Sequence, residues 1–497
     1  MRFTDVVGRR WLFGDQLGPH FLDGPDQQVL MIESRGVFAS RRFHRAKAHL
    51  ILSAMRHRAA ELGEQCTYLR VNSYSEALNS IDERLNVCHP TSRAAFEFVK
   101  GRGDIEVLPA RGFASPMEDF ERWVSSRGRK RLLMEDFYRE ARRRLNVLMD
   151  GDEPAGGGWN FDADNQEPPP RSSTLGVVEP IWPKEDEIDQ QVSEDLDRWE
   201  RDGQVSFLGA SGPRRFAATR AEAVALLDHF IDHRLSAFGP YEDAMMSGDP
   251  WMAHSLLSAP MNLGLLDPIE VVTRAEDAYR SGSAPLASVE GFIRQVIGWR
   301  DFVWHLYWHL PASYRDMNEL EAGEPVPDWF ANLEADSVDA ACISHILADV
   351  RDNGWAHHIP RLMVLGNYAM QRGWDPAEVT DWFHRAFVDG YDWVMVPNVV
   401  GMSQYADGGI LATKPYAAGG AYINRMSNYC GDCVYDPRKR VGANACPFTA
   451  GYWSFMYRNR ERLGTNSRMA QPLSGLKRLS DLEELLAQEA ARGPAAP

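Results

Sequence analysis

FVDGYDWVMVPNVVGMSQYADGG, residues 387–409, breaks the pattern of a chain whose second half otherwise reads as helix after helix. It mixes aromatics, glycines and amides and has no simple 3.6-residue period. A second stretch of the same kind, KPYAAGGAYINRMS (414–427), follows at once. A rigid loop between helices would explain one such segment. Two in succession suit the lining of a large, flat ligand, with glycines letting backbone come close to it.

The next residues, NYCGDCVYDPRKRVGANACPF (428–448), hold three of the chain's six cysteines. Cys430 and Cys433 form a C-x2-C pair, and Cys446 precedes Pro447. Such a group can be a disulfide, a zinc site, an iron–sulfur site or a redox dithiol. A zinc or cubane site needs four ligands, so a fourth must come from Cys342, Cys66, Cys88 or a histidine. Cys66 and Cys88 belong to the first third of the chain and read as buried structural thiols. Cys342, in AACISH, lies among the helices and can reach the cluster once they pack. Spacing leaves zinc and iron–sulfur open.

A chain of 497 residues with 44% hydrophobic residues suggests two to four domains. The opening MRFTDVVGRRWLFGDQL has no long apolar run before a cleavage site, and no segment approaches the ~20 apolar residues that span a bilayer. The expectation is a soluble, cytoplasmic protein with no membrane partner, where disulfides are disfavoured. The net charge of −16 argues against indiscriminate nucleic-acid binding, yet leaves room for a local basic groove. Much of the acid sits in KEDEIDQQVSEDLDRWERD (184–202). The basic runs RGRKR (127–131), RRR (142–144) and RKR (438–440) each read first as solvated helix faces and loops.

Residues 1–149 alternate short β-rich runs with helices: WLFG (11–14), QVLMIES (28–34), TYLRV (67–71), AAFEFV (94–99) and DIEVLPA (104–110) as strands, 41–62 and 73–85 as helices. This predicts an α/β, Rossmann-like domain with a parallel sheet. GDQL (14–17) follows the first strand, where such sheets bind ligands, but no G-x-G-x-x-G is present. Residues 150–190 are rich in Gly, Pro and Asp and read as a connector, although WNFD within them suggests a segment packed across a domain surface. Residues 191–480 read as an all-α domain, and 481–497 as a short helix with a disordered tail.

Three further stretches carry candidate chemistry. In NGWAHHIPRLMVL (353–365), adjacent His357 and His358 point in different directions, so one can face a ligand while the other packs. In WMAHSLLSAPMNLG (251–264), Ser255 and Ser258 sit at a helix start, suited to phosphate or to plain capping. RQVIGWRDF (294–302) puts Arg294, Trp299 and Arg300 on one or two turns.

In this order GDQL, WNFD, RQVIGWRDF, WAHHIPRLM, DGYDWVMVPNVVGMSQYADGG and KPY…YINRMS…YC-x2-C resemble the photolyase/cryptochrome superfamily. The closer resemblance is to its iron–sulfur bacterial branch, the prokaryotic (6-4) photolyases and related cryptochromes, and it spans about residues 10–470. The resemblance implies an N-terminal antenna domain, a helical FAD-binding domain and a [4Fe–4S] cluster on Cys342, Cys430, Cys433 and Cys446. It implies light-driven electron transfer from reduced flavin to a flipped-out (6-4) lesion in UV-damaged DNA, by a monomer. By the same resemblance His358 is the proton donor with His357 beside it, and Met402, Tyr416 and Tyr422 line the lesion pocket. Asp392 and Asn398 neighbour the flavin, Ser255, Leu257 and Ser258 its phosphates, and Trp299 and Arg300 the pocket floor, while Trp382 relays electrons. A 6,7-dimethyl-8-ribityllumazine antenna is implied, with Asp15, Gln16 and Glu33 as its candidates. One departure concerns the outer electron path. The tryptophan this branch carries just before its first cluster cysteine is missing from NLEADSVDAAC, Trp329 is the nearest candidate, and Phe383 follows Trp382. A photoreceptor on the same scaffold, or a non-flavin iron–sulfur or zinc nucleic-acid-binding protein, are the alternative readings.

Overall fold

The computed structural model describes residues 8–497; residues 1–7 of the expected first domain lie outside the described residues. Five strands, β1 (Arg9–Leu12), β2 (Val29–Ser34), β3 (Cys66–Val71), β4 (Leu85–Cys88) and β5 (Ile105–Leu108), form one parallel sheet in the order β3-β2-β1-β4-β5. All six residues of β2 are buried, as expected of an inner strand covered on both faces. Alternate side chains divide between two cores. Leu12, Val29 and Met31 pack with Leu50 and Ala54 of the helix Arg45–Leu62. Trp11, Leu30 and Ile32 pack on the other face with Leu78, Val87 and Val99.

Two expected elements are corrected. AAFEFV is not a strand but the middle of the helix Arg93–Arg102. Its ends carry the signal that its apolar run lacks: the Ser92 side chain accepts a hydrogen bond from Ala95 N at 3.2 Å, and Gly103 closes the helix at φ 72°. Within 73–85 only Tyr74–Leu78 is helical, and Leu85 opens the unanticipated strand β4. That strand matters because it pairs with β1 on the side away from β2, so the winding reverses between β1 and β4. The loops after these two strands therefore flank the crevice where open α/β sheets take ligands.

The connector is pinned rather than free. Phe161 N donates to Glu290 at 2.9 Å, Asp162 pairs with Arg294 at 3.0 Å, and Trp159 lies over Arg143 at 4.3 Å. It ends in the helix Glu187–Arg201, begun by a reciprocal Asp186–Asp189 capping box and packed against the helix Arg45–Leu62. From residue 220 onward the described chain is helical apart from loops, and its segments share two large cores. Three of them widen into π-helix: Arg294–Arg300, Pro360–Gly366 and Pro397–Ser403. These coincide with the motifs picked out in the sequence, and π segments concentrate at functional sites.

The short helix expected near the C-terminus forms, and the tail expected to be disordered packs. The helix Leu482–Arg492 places buried Glu489 between Arg372 (2.7 Å) and Arg492 (3.0 Å). Beyond it, Trp329 Nε1 donates to Pro494 O and Ala340 N to Pro497 O, both at 2.9 Å. Apolar periodicity alone is weak here, and the ordering comes from charge pairing and backbone bonds. Glu489→Ala strands two partly buried guanidinium groups and is expected to destabilise this corner by about 3 kcal/mol. Protease sensitivity of the last helix, compared with the melting of the whole protein, checks it.

Candidate functional site

The 251–258 loop, the start of the helix after His357, and the 387–392 turn converge on one place, the candidate ligand site. The loop is held in an unusual course, with Met252 at φ 40° and Leu256 at φ 58°. Left-handed backbone at bulky residues costs about 1–3 kcal/mol each and clusters where geometry serves function. Ser255 Oγ accepts from Leu257 N at 3.3 Å, and Ser258 Oγ donates to Asp389 at 2.7 Å. Asp389 is also gripped by Arg361 through both oxygens, at 2.8 and 3.1 Å, and its carbonyl accepts from Asn262 at 3.1 Å. The Arg361 guanidinium lies 4.0 Å over Phe387, which touches Trp382 edge-on at 5.8 Å.

The adjacent histidines separate as expected. His357 is buried and stacks on His254, with ring centroids 4.0 Å apart. Burial, then its neighbours His254, His358 and Arg361, hold its pKa well below the ordinary value, so it is neutral. His254 is neutral too, pulled down to about 3 chiefly by burial. His358 turns the other way and is exposed at the mouth of this site. Beyond it Met402 is buried in one apolar cluster with Leu411, against which Ile359, Tyr416 and Tyr422 pack. The Tyr422 hydroxyl is pushed up to about 12 by burial and by Asp243.

Buried His254 Nε2 and His357 Nδ1 have no hydrogen-bond partner among the described residues, and neither do Trp382 Nε1, behind Phe387, and Arg300 Nε. Buried polar atoms left alone are costly, so this set fits a polar ligand. Arg300 spans from Gly112 O (3.0 Å) to Met261 O (3.4 Å), between the rings of Phe113 and Trp393, and Trp299 packs beside it. Asp392 and Asn398 turn elsewhere: Asp392 accepts from Tyr307 OH at 2.7 Å, and Asn398 donates to Val394 O at 2.8 Å. Asp389, Arg361, Asn262 and His254 were missed in the sequence. Asp389 stood in the quoted stretch, but nothing in it separates Asp389 from Asp392. Nor is that stretch irregular throughout, since Asp392–Val396 is α-helix running into the π segment. Gly390 serves packing: a Cβ there would lie 2.7–3.0 Å from the carbonyls of Phe383, His384 and Phe387.

Trp382 is fully buried. Phe330 lies 4.4 Å from it, Trp374 4.8 Å from Phe330, and Trp329 6.1 Å from Trp374. Aromatic rings thus run without a gap from this site towards the C-terminal segment.

Cys342, Cys430, Cys433 and Cys446 line a single small cavity. Cys342 opens the helix Ala341–Asn353, and Cys446 caps Pro447–Arg458. Burial, then the other three sulfurs, push the Cys342 thiol well up, and Cys430 rises to about 12 for the same reasons. Two buried and two half-buried thiols on one cavity fit a cationic centre that would hold them as thiolates. Their spacing is informative, because no three lie within 4.8 Å of one another. A zinc tetrahedron, with Zn–S of about 2.3 Å, needs sulfurs about 3.8 Å apart. Gly420 is the residue that clears this wall, since a Cβ there would meet Cys446 Sγ at 2.8 Å. Cys66 and Cys88 stay in the sheet, free and apart from this group.

At the sheet's crevice, Gln16 Nε2 donates to Cys88 O at 3.0 Å, and Thr91 donates to Asp15. Burial lifts Asp15 to about 6. Glu33 is buried and its oxygens are taken by Arg56 (2.8 and 2.9 Å), Tyr68 (2.6 Å) and Arg70 (3.2 Å).

Residues 10–205 match the family model described as deoxyribodipyrimidine photo-lyase-related protein. A (6-4) photolyase of Agrobacterium fabrum is 41% identical over 496 residues, 95% of either chain. In fold, the chain resembles a bacterial class III photolyase from Agrobacterium tumefaciens (TM-score 0.56, 13% identity, 97% of this chain and 96% of that one). It also resembles a Synechocystis cryptochrome (TM-score 0.53, 12% identity, 80% and 82%). Reversed winding at β1/β4, a helical body around one site, and full-length similarity agree that the chain belongs to the photolyase-related family of the photolyase/cryptochrome fold.

Proposed function

We propose that this protein is a light-driven (6-4) DNA photolyase, with FAD in the candidate ligand site and the lesion admitted at its His358 mouth. The observation that carries this is the pairing of an exposed histidine with the buried, unpartnered nitrogens of His254 and His357 and an Arg361–Asp389 clamp beneath it. When bound and reduced, FAD supplies the light-driven electron. The protein does the rest. Ser255, Leu257 and Ser258 offer hydroxyls and backbone to phosphate, Arg361 and Arg300 supply positive charge, and Trp299 and Trp382 close the walls. Asp389 takes the flavin-side place expected of Asp392, while the Asn398 side chain stays on Val394 O. His358 holds the proton for the lesion, His357 orients it, and Met402, Tyr416 and Tyr422 exclude water from the lesion's apolar side.

The four cysteines would hold a [4Fe–4S] cluster; their wide spacing favours it over zinc. The lumazine antenna is assigned to the crevice beside Asp15 and Gln16, with Glu33 acting through its arginine network as part of the wall.

An oligonucleotide carrying one (6-4) lesion tests the proposal, with a cyclobutane-dimer oligonucleotide and a dark control alongside. Light-dependent restoration of the (6-4) substrate alone is expected. No restoration by protein that holds FAD and iron overturns it in favour of a photoreceptor. A second expectation concerns Trp382→Phe. It should slow light-driven reduction of bound FAD by an external thiol, while repair by chemically pre-reduced protein is unchanged. Equal photoreduction rates would remove Trp382 from the electron route.

A further inference from the structure

Of the three basic runs in the sequence, 142–144 is largely taken up within the protein, and 438–440 chiefly through Arg440. Arg142 is buried, Arg144 pairs with Asp119 at 3.0 Å, and Arg440 pairs with Asp481 at 2.8 Å. The run 127–131 is different. It forms the turn between the helices Met117–Arg127 and Met134–Leu145 of the α/β half. The nearby acids Asp119, Asp136 and Glu321 are taken by Arg144, Arg127 and Arg462. Arg129 and Lys130 are exposed. Arg131, also exposed, reaches across to the helical half and donates to Gly409 O and Ala412 O. Leu132 then joins the apolar cluster holding Leu411 and Met402, against which Tyr416 and Tyr422 pack.

The turn therefore borders the apolar cluster against which Ile359, the neighbour of His358, also packs. Around the same cluster lie exposed Lys414, Arg425, 5.8 Å over the Tyr422 ring, and Arg468, alongside the acids Asp162 and Asp243, whose charges also reach the Tyr416 hydroxyl. A chain of net charge −16 has thus left exposed cations around one apolar cluster.

We infer that the turn Arg129–Lys130–Arg131 is a phosphate clamp supplied by the α/β half, gripping the DNA strand that flanks the flipped-out base. This rests on the proposed repair of DNA lesions, but the contact is to backbone and carries no lesion specificity. Arg131 positions the 409–412 loop and the turn together, and Arg129 and Lys130 meet the phosphates.

The test reads binding in the dark, so it does not depend on the photochemistry. Full-length, cofactor-loaded Arg129→Ala/Lys130→Ala is titrated with a lesion-bearing duplex and an undamaged duplex across salt concentrations. Each lost phosphate contact lowers the slope of log K against log salt by about 0.9, so the double variant's slope should fall by about 1.8. Between about 50 and about 200 mM salt, the loss of affinity then shrinks by about twelvefold. Both duplexes should show the same change, and light-driven repair of a (6-4) dinucleotide, which has no flanking strand, should be unaltered. Neither side chain bonds to another described residue, and Lys130→Ala alone, expected to lower the slope by about 0.9, guards against a folding fault. Unchanged slopes in both variants would overturn the clamp. If wild-type protein repairs nothing but its dark binding responds as stated, the clamp stands and the repair reading falls.

Discussion

Replacing His358 by alanine is expected to lower light-driven repair by about 10²- to 10⁴-fold, the usual share of a positioned proton donor, with FAD still bound. The geometry separates the two histidines for this purpose. His357 is buried against His254 and kept neutral, so it can orient but not supply a proton. His358 is exposed at the opening, while the surrounding walls and then Arg361 pull its pKa down to about 4. The sign follows. Above that value the imidazole is mostly neutral, and each pH unit downward multiplies the protonated fraction by about ten. An anion bound beside it raises the value. Wild-type repair should therefore climb as pH falls from about 8 to about 6, and the alanine variant's small residual rate should not. Repair yield by chromatography, with the flavin absorption of the same sample, measures both. Undiminished repair would withdraw the role. Loss of flavin in the variant would make His358 a structural residue.

Cys433→Ala is expected to give protein with little bound iron and a steep loss of soluble yield. Three sulfurs cannot complete a site whose fourth wall is the helix start at Cys342, and metal binding in such sites is folding free energy. The 430–446 loop has few other anchors: Arg440 to Asp481, Gly442 N to Gln488 at 2.8 Å, Arg492 to Ala445 O at 3.3 Å, and Thr449 to Pro437 O at 2.7 Å. The first three lead to the C-terminal helix, so a collapsed site should also loosen that helix. Iron and zinc analysis of purified protein settles the metal, with about four irons per chain expected of wild type. A soluble, iron-replete variant would show the ligand set to be wrong, and zinc in place of iron would reverse the choice between the two centres.

Much of this was legible in the order of residues alone. Runs of the VLMIES kind announce inner parallel strands because burial on both faces leaves no polar position to alternate. A C-x2-C with a third cysteine before proline announces a candidate centre, and folding brings Cys342 to the same cavity. Adjacent histidines announce one inward and one outward ring, because neighbours on a helix turn cannot share a face. Other features were decided only by tertiary structure. LNVC is too short to declare itself a strand, and AAFEFV too apolar to declare itself a helix; β1 pairing and the caps at Ser92 and Gly103 settled them. Asp389 and Asp392 are three residues apart with the same chemistry, and only the positions of Arg361 and Tyr307 give one to the candidate site and the other to a remote hydrogen bond. RGRKR read as an ordinary solvated run, since charge in sequence carries no direction. Folding set it against the 409–412 loop, because Arg131 found carbonyls to bind across the two halves while Arg129 and Lys130 found no partner among the described residues.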